Sequence, residues 1–162
     1  MGLFNRRRIK RTSSGVNFDI TPDERDLIAH LIPQLRDLLV DVAPTGHVDE
    51  AVRRLFPTAH AEDPDLDLEF QASSRDRLLA ARLDRLDLVE ATVRNERLSF
   101  EQHEAWIAAI NDIRLVLGTR LDVSEDDDPD QLDPEDPTDA AVAMYHYLGF
   151  LLGELLDASE YA

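Results

Sequence analysis

The residues with the clearest potential for recognition or chemistry lie between Trp106 and Leu121. In this stretch an amide at Asn111 and a guanidinium at Arg114 stand three residues apart, a spacing that makes two side chains neighbours on a helix. The surrounding residues are mostly apolar, so the pattern predicts a polar patch on a core-forming helix. We define this polar patch by its members, which are Trp106, Asn111, Asp112, Arg114, Thr119 and Arg120.

The polar patch has two interpretations from the sequence. In the first, Asn111, Asp112 and Arg114 form hydrogen bonds that tie their helix to the loop after Gly118 or to an amino-terminal hairpin, because buried polar groups need partners. In the second, the patch recognises another molecule, since Trp and Arg are residue types in which interfaces concentrate binding energy. Both interpretations stay open at this point.

The usual spacings of catalytic and metal-binding residues are absent from the sequence. No two of the five histidines are three or four residues apart, and His103-Glu104 lacks the second histidine of a zinc-protease motif. There is no glycine-rich phosphate loop and no serine elbow, and the acidic run 126–130 lacks the other positions of a calcium loop. Without cysteine, thiolate metal sites and thiol chemistry are excluded. The sequence therefore predicts a non-enzymatic protein with no cofactor and no metal.

A basic amino-terminal arm is the second candidate site. Residues 1–11 carry five basic groups and no acid, so the rest of this chain of net charge −17 carries −22. Such an acidic body repels the phosphates of DNA, which makes direct DNA binding disfavoured. We expect the arm to fold onto the acidic body or to meet an acidic partner. Its basic members are Arg6, Arg7, Arg8, Lys10 and Arg11.

The sequence predicts a cytoplasmic protein without a membrane span. Its first residues run into the basic arm rather than into the apolar region of a secretory signal. The longest uncharged stretch, residues 140–153, has 14 residues, whereas a helix needs about 20 apolar residues to cross a bilayer. That stretch is expected to be a buried helix.

The amino-terminal elements have distinct local signals. Residues 16–20 alternate apolar and polar, and turn-forming residues precede them, so residues 7–20 predict a small β-hairpin. Thr21, Pro22 and Glu24 form a capping box with proline at the first helical position, which predicts the start of a helix. Pro33 lies inside the apolar pattern of that helix and predicts a kink or a short break near Ile32.

Three further long helices are predicted. The first of these helices spans 74–96. The second begins at the capping box of Ser99 and Gln102 and ends at Leu117, with Gly118 as its cap. The third runs from about 136 to 157. A short helix at Asp49–Phe56, a loop at 62–67, a brief strand at 121–123 and an acidic linker at 124–137 complete the chain. The fold class is mainly α, a bundle of four to five helices with a small amino-terminal β-hairpin. Two regions follow: 1–20 is the arm and hairpin, and 21–162 is the helical domain.

The residues of the polar patch also carry a resemblance. The tryptophan, the Asn-Asp-x-Arg-Leu element at 111–115 and the Leu-Gly-Thr-Arg-Leu element at 117–121 follow one another in an order that resembles an actinobacterial family of uncharacterised domains. Its one functionally named branch is the oxidative stress regulator AosR. The resemblance implies a cytoplasmic regulatory protein that contacts the transcription machinery, such as a stress sigma factor. Sensing in the named branch depends on a cysteine pair, which this sequence lacks, so partner binding is what the resemblance implies here.

The leading hypothesis is thus a non-enzymatic regulatory protein that acts through protein–protein interaction. Two alternatives from other classes stay open. One is a small-molecule binder or enzyme that uses a polar pocket near Asn111, Asp112 and Arg114. The other is a homo-oligomeric structural module.

Overall fold

The structure, a computed structural model, describes residues 7–41, 52, 55, 63–121 and 129–160. These residues form four α-helices, three short strands and one turn of 3-10 helix. Their order is β1 (Ile9–Arg11), β2 (Val16–Phe18), α1 (Pro22–Asp41), α2 (Pro64–Thr92), β3 (Arg97–Leu98), α3 (Phe100–Leu121), the 3-10 turn (Pro129–Gln131) and α4 (Pro137–Glu160). The predicted fold class, mainly α with an amino-terminal hairpin, is confirmed. Among the described helices, none combines the length and the apolar character that crossing a bilayer requires.

The hairpin is extended to an antiparallel sheet of order β1-β2-β3. The third strand was not predicted, because its two residues are too few to show an alternating pattern. A glycine permits the close approach of β2 and β3, since a Cβ atom at Gly15 would lie 2.1 Å from the carbonyl oxygen of Leu98. The sheet therefore depends on a position that no other residue type can occupy without a backbone shift.

Both predicted capping boxes are present. The Thr21 amide donates to Glu24 Oε2 at 2.7 Å, and the Glu24 amide donates back to Thr21 Oγ1 at 3.2 Å. The Ser99 amide donates to Gln102 Oε1 at 2.9 Å, and the Gln102 amide donates to Ser99 Oγ at 3.1 Å. Each pair satisfies two backbone donors that the first turn of a helix leaves without partners.

The break expected near Ile32 is absent, because α1 is continuous across Pro33. Pro33 lies on the exposed side of the helix, whereas Ile28, Ile32 and Leu39 are fully buried. The carbonyl that loses its intrahelical donor at Pro33 belongs to Ala29, and on this side solvent can reach the groups that proline disturbs.

The predicted boundaries of the second helix were wrong at both ends. α2 begins at Pro64, ten residues before the predicted start, and ends at Thr92 instead of residue 96. The run 62–67 was interpreted as a loop, but proline suits the first helical position and acidic residues suit the first turn. The helix stops at Thr92 because the backbone beyond it joins the sheet, where the Phe18 amide donates to the Glu96 carbonyl at 2.8 Å.

Gly118 does not end the third helix, which continues to Leu121. A Cβ atom at Gly118 would lie 2.7 Å from the ring of Tyr145 on α4. The glycine therefore allows an aromatic side chain of α4 to lie against α3. The strand predicted at 121–123 is also wrong at Leu121, because this residue belongs to α3. The other two residues of that prediction lie outside the described ranges.

Two more predictions lie partly outside the described residues. Of the helix predicted at Asp49–Phe56, only Val52 and Leu55 are described, and both are buried. Of the acidic linker at 124–137, residues 129–131 form the 3-10 turn and Pro137 already belongs to α4. Asp136 caps α4, because its Oδ1 accepts from the Thr138 amide at 2.8 Å. This end of the linker is thus held by its own acidic side chains.

The core lies where α3 packs against both α2 and α4, and the inner side of the sheet closes one end. Trp106 is fully buried, as predicted, and the ring of Phe18 meets it edge-on with centroids 4.7 Å apart. The Trp106 indole N–H donates to Thr92 Oγ1 at 2.9 Å, so its polar atom is satisfied. Trp106 therefore has a structural place between α2, α3 and β2.

Arg25 is a buried charged residue that joins the sheet to two helices. Its Nε donates to the Ile20 carbonyl at 3.3 Å and its Nη2 to the Phe18 carbonyl at 2.9 Å. Its Nη1 donates to the carbonyls of Val93 and Asn95, both at 2.8 Å. The guanidinium also lies over the Phe18 ring, 5.4 Å from the centroid. One side chain therefore holds the end of β2 and the chain between α2 and β3 onto α1.

We predict that Arg25→Ala lowers the free energy of unfolding by at least about 3 kcal/mol, because several buried carbonyls lose their donor at ~1–3 kcal/mol each. Arg25→Lys should give a smaller loss, since an ammonium reaches fewer of these acceptors. The matched control is Arg94→Ala, whose ion pair with Asp26 is exposed and should contribute about 0–1 kcal/mol. Urea unfolding followed by circular dichroism measures all three. Equal losses for Arg25→Ala and Arg94→Ala would contradict the role of Arg25.

Candidate functional site

The structure distributes the polar patch over three surroundings, because its members lie on different sides of α3. Trp106 points into the core. Asp112 faces α2 and Arg114 faces α4. The patch is therefore divided, and each member has to be considered with its own neighbours.

Asp112 forms an internal ion pair with α2. Its side chain accepts from Arg82 Nη1 at 2.5 Å, and Arg82 Nη2 donates to the Leu55 carbonyl at 2.7 Å. Burial raises the pKa of Asp112, and the hydrogen bond and charge of Arg82 offset only part of this increase. The structural interpretation expected bonds to the loop after Gly118 or to the hairpin, whereas Asp112 bonds to Arg82 and so joins α3 to α2.

Three other members of the polar patch, Asn111, Thr119 and Arg120, differ in their surroundings. Thr119 donates its hydroxyl to the Leu115 carbonyl of its own helix at 2.9 Å. Arg120 lines an apolar groove between α1 and α3, in which Gln34 is the other polar side chain. Asn111 is half-buried. Asn111, Asp112 and Arg114 do not line this groove, and they do not line a second cavity, which lies at the turn between β1 and β2.

Arg114 lies against α4 without a counter-charge among the described residues. Its guanidinium is 5.1 Å from the centre of the Tyr145 ring, and its Nε is 3.4 Å from the position of a Cβ atom on Gly149. That Nε is buried and has no hydrogen-bond acceptor among the described residues. The ion pairs within the described ranges use Arg8, Arg36, Arg82 and Arg94. Arg114 is thus a half-buried cation held in place by an aromatic ring and a glycine.

The surface around Arg114 combines aromatic side chains with a second unsatisfied nitrogen. His146 Nε2 is buried and has no hydrogen-bond partner in the part of the chain that the structure describes, and the His146 ring meets the Tyr145 ring edge-on at 5.6 Å. We call the surface formed by Arg114, Tyr145, His146 and Gly149 the Arg114 face. It offers one cation, one imidazole and one phenol ring. Phe150, which is 60% exposed, points to the neighbouring side of α4, because consecutive helix residues do not share a face.

The basic arm is anchored through Arg8. Arg8 Nε and Nη2 donate to Glu154 Oε1 and Oε2 at 3.1 and 2.6 Å, and Nη1 donates to both oxygens of Glu24 at 2.8 Å. The Tyr147 hydroxyl donates to Glu24 Oε1 at 2.9 Å. The Arg8 guanidinium is also 5.7 Å from the centre of the Phe150 ring. This cluster joins the chain before β1 to α1 and α4, and Phe150 lies beside it.

The other arm residues have separate places. Arg11 lies over the Phe100 ring at 4.3 Å, where α3 begins. Lys10 is exposed on β1, and Arg7 is exposed just before it. Arg6 lies outside the described residues. The arm therefore does not act as one patch, because alternate residues of a strand point to opposite faces.

Sequence reasoning missed Glu154, Tyr145, Tyr147 and Phe150. Glu154 pairs with a residue 146 positions away, and no local spacing indicates such a pair. Tyr145 lies against α3 beside Arg114 because Gly118 leaves room for its ring. The exposed Phe150 gave one weak signal, since a large aromatic residue lies beside an apolar stripe that the other α4 residues already complete.

The described ranges contain no cluster of three or more His, Cys, Asp or Glu side chains that would hold a metal ion. In comparison with known families, residues 6–159 match the family described as Domain of unknown function (DUF2017). No curated protein and no solved structure matches the chain. The family match includes Arg8, the whole polar patch and the Arg114 face.

The Arg8 cluster generates a prediction about acid stability. Burial raises the pKa of Glu24. Hydrogen bonds from Arg8, Thr21 and Tyr147 together lower this pKa by more than burial raises it, so the pKa of Glu24 lies below its usual value of 4.5. A carboxyl with a lowered folded-state pKa contributes stability above its unfolded pKa, and this contribution is lost as pH falls through the folded pKa. We expect the difference in unfolding free energy between wild type and Glu24→Gln to be constant near pH 7 and to shrink below about pH 4.5.

Urea unfolding at a series of pH values measures this difference. Glu135→Gln, measured in the same series, is the control for the removal of one exposed carboxylate, because Glu135 lies in an exposed turn. A Glu24→Gln difference that stays constant or grows toward pH 3 would contradict the prediction.

Proposed function

The chain belongs to the DUF2017 family, and we propose that it is a non-enzymatic protein-interaction module that binds its partner through the Arg114 face. The observation that carries this proposal is the environment of Arg114. A half-buried guanidinium with an unsatisfied Nε and no ion pair among the described residues stands in a chain of net charge −17. The other buried or half-buried arginines of the described core are neutralised by carboxylates or hydrogen-bonded to carbonyls.

The geometry of Arg114 suits a carboxylate from a partner. A guanidinium binds a carboxylate through two parallel hydrogen bonds. The Tyr145 ring and the backbone at Gly149 restrict the guanidinium, so less side-chain entropy is lost when a ligand binds. Partial burial also strengthens the attraction, because the charge is less screened by water.

Phe150, on the side of α4 between the Arg114 face and Arg8, supplies the apolar part of the proposed interface. It is the most exposed large apolar side chain in the described ranges, at 60%, and Leu156 on the same helix is 44% exposed. Interfaces combine such an apolar contact with a few charged groups that set orientation. The partner segment therefore presents a carboxylate to Arg114 and an apolar side chain to Phe150.

The finer identity of the partner rests on the resemblance to the branch of AosR. On that basis the partner is a component of the transcription machinery, such as a stress sigma factor, and the protein is a cytoplasmic regulator that does not bind DNA itself. Because the chain has no cysteine, its binding is independent of its own thiol oxidation.

We predict that Arg114→Ala weakens partner binding by about 30-fold or more, the effect of losing ~2 kcal/mol at an interface hot spot. Arg114→Lys should weaken partner binding nearly as much as Arg114→Ala, because an ammonium does not reproduce the two parallel hydrogen bonds. Phe150→Ala should also reduce binding. The melting temperatures of all three should fall by only a few degrees, since Arg114 and Phe150 each take part in one cation–π contact within the fold, worth about 0.5–1 kcal/mol.

The measurement has two stages, with Arg85→Ala as the control for loss of one exposed positive charge. Quantitative capture from lysate selects proteins that bind wild type and Arg85→Ala but not Arg114→Ala, and titration of the purified partner then gives the affinities. Light scattering of the protein alone identifies self-association. Capture that does not depend on Arg114, or an Arg114→Ala variant that is less stable yet binds normally, would overturn the interaction proposal. An Arg114-dependent partner outside the transcription machinery would overturn only the finer one.

A further inference from the structure

The exposed face of the sheet carries a row of polar residues across all three strands. Lys10 pairs with Asn17 in the register of β1 and β2, and Asn17 pairs with Arg97 in the register of β2 and β3. All three side chains are exposed. Residues that pair directly across strands point to the same face, so an ammonium, an amide and a guanidinium stand side by side. We propose that this row and the cavity beside it bind the phosphate group of a small molecule.

The cavity lies at the turn end of the row and has a volume of about 210 Å³. The residues with polar side chains that line it are Thr12, Ser14, Ser99, Asn17 and Arg97. A phosphate group has several acceptor oxygens and needs several donors around it. Every one of these five side chains can donate a hydrogen bond.

The residues that line the cavity include one cation, Arg97, and no acid. Neither Lys10 nor Arg97 belongs to an ion pair within the described residues. The acidic residues nearest to the lining in sequence are Asp19, Glu96 and Glu101, and none of them lines the cavity. The positive charge and the hydrogen-bond donors of the lining favour an anion as the ligand.

The size of the ligand follows from the rest of the molecule. A polyanion such as RNA or DNA would extend over the surrounding surface, and the net charge of −17 would repel it. A small phosphorylated molecule places its negative charge only at the cavity. The site lies on the sheet, apart from the Arg114 face on α3 and α4, so it does not depend on the interaction proposal.

Titration with inorganic phosphate at constant ionic strength, followed by amide shifts in two-dimensional NMR, tests the site. We expect saturable shifts at the amides of Ser14, Asn17 and Arg97 in the millimolar range. Arg97→Ala should raise the apparent dissociation constant at least ten-fold, and Lys10→Ala should raise it several-fold. Arg85→Ala removes an exposed arginine elsewhere and should leave it unchanged. Because Lys10 and Arg97 are exposed, circular dichroism should show an unaltered fold.

A second titration uses glucose 6-phosphate and should shift the same amides. Shifts that do not saturate, that persist in Arg97→Ala, or that appear equally with added chloride would overturn the proposal. Absence of shifts with glucose 6-phosphate would overturn it as well, because the phosphate would then not be recognised as part of a larger molecule.

Discussion

The hydrogen bonds of the Arg25 guanidinium to four backbone carbonyls are the interaction on which the arrangement of the other elements depends. Strands of two and three residues do not form a stable sheet alone, so this sheet exists because helices hold it. Arg25 fastens the end of β2 and the chain before β3 to α1, while Phe18 of β2 packs on Trp106 of α3. The sheet and the helices therefore form one cooperative unit.

Other charged contacts between elements follow the same physical rule, and Arg114 is the exception. Arg82 joins α2 to Asp112, and Arg8 joins α1 and α4 through two glutamates. In each case a cation taken partly out of water gains carboxylates or carbonyls that offset the lost hydration. Arg114 has only a ring and a glycine against it within the described ranges. Its lost hydration is offset incompletely, which is the physical reason to expect a ligand there.

The sequence predicted those features whose cause lies within a few residues. The capping boxes at Thr21 and Ser99 are bonds between residues three apart, and the burial of Trp106 follows from its position in a helical row. Features that depend on distant residues were missed or misplaced. Gly118 was predicted to end a helix, because its contact with Tyr145 cannot be read from local spacing. For the same reason the sequence singled out Arg114 by residue type but not the aromatic surroundings that distinguish it.

The contact of Arg8 with Glu154 can form only late in the synthesis of the protein on the ribosome. The two residues are separated by 146 positions, and ribosomes add about 5–20 residues per second. β1 also packs against α4, so the apolar side of this first strand lacks its cover until the last helix has left the exit tunnel. During each round of translation, Ile9 therefore stays uncovered, and Arg8 has Glu24 but not Glu154 within reach, for on the order of ten seconds.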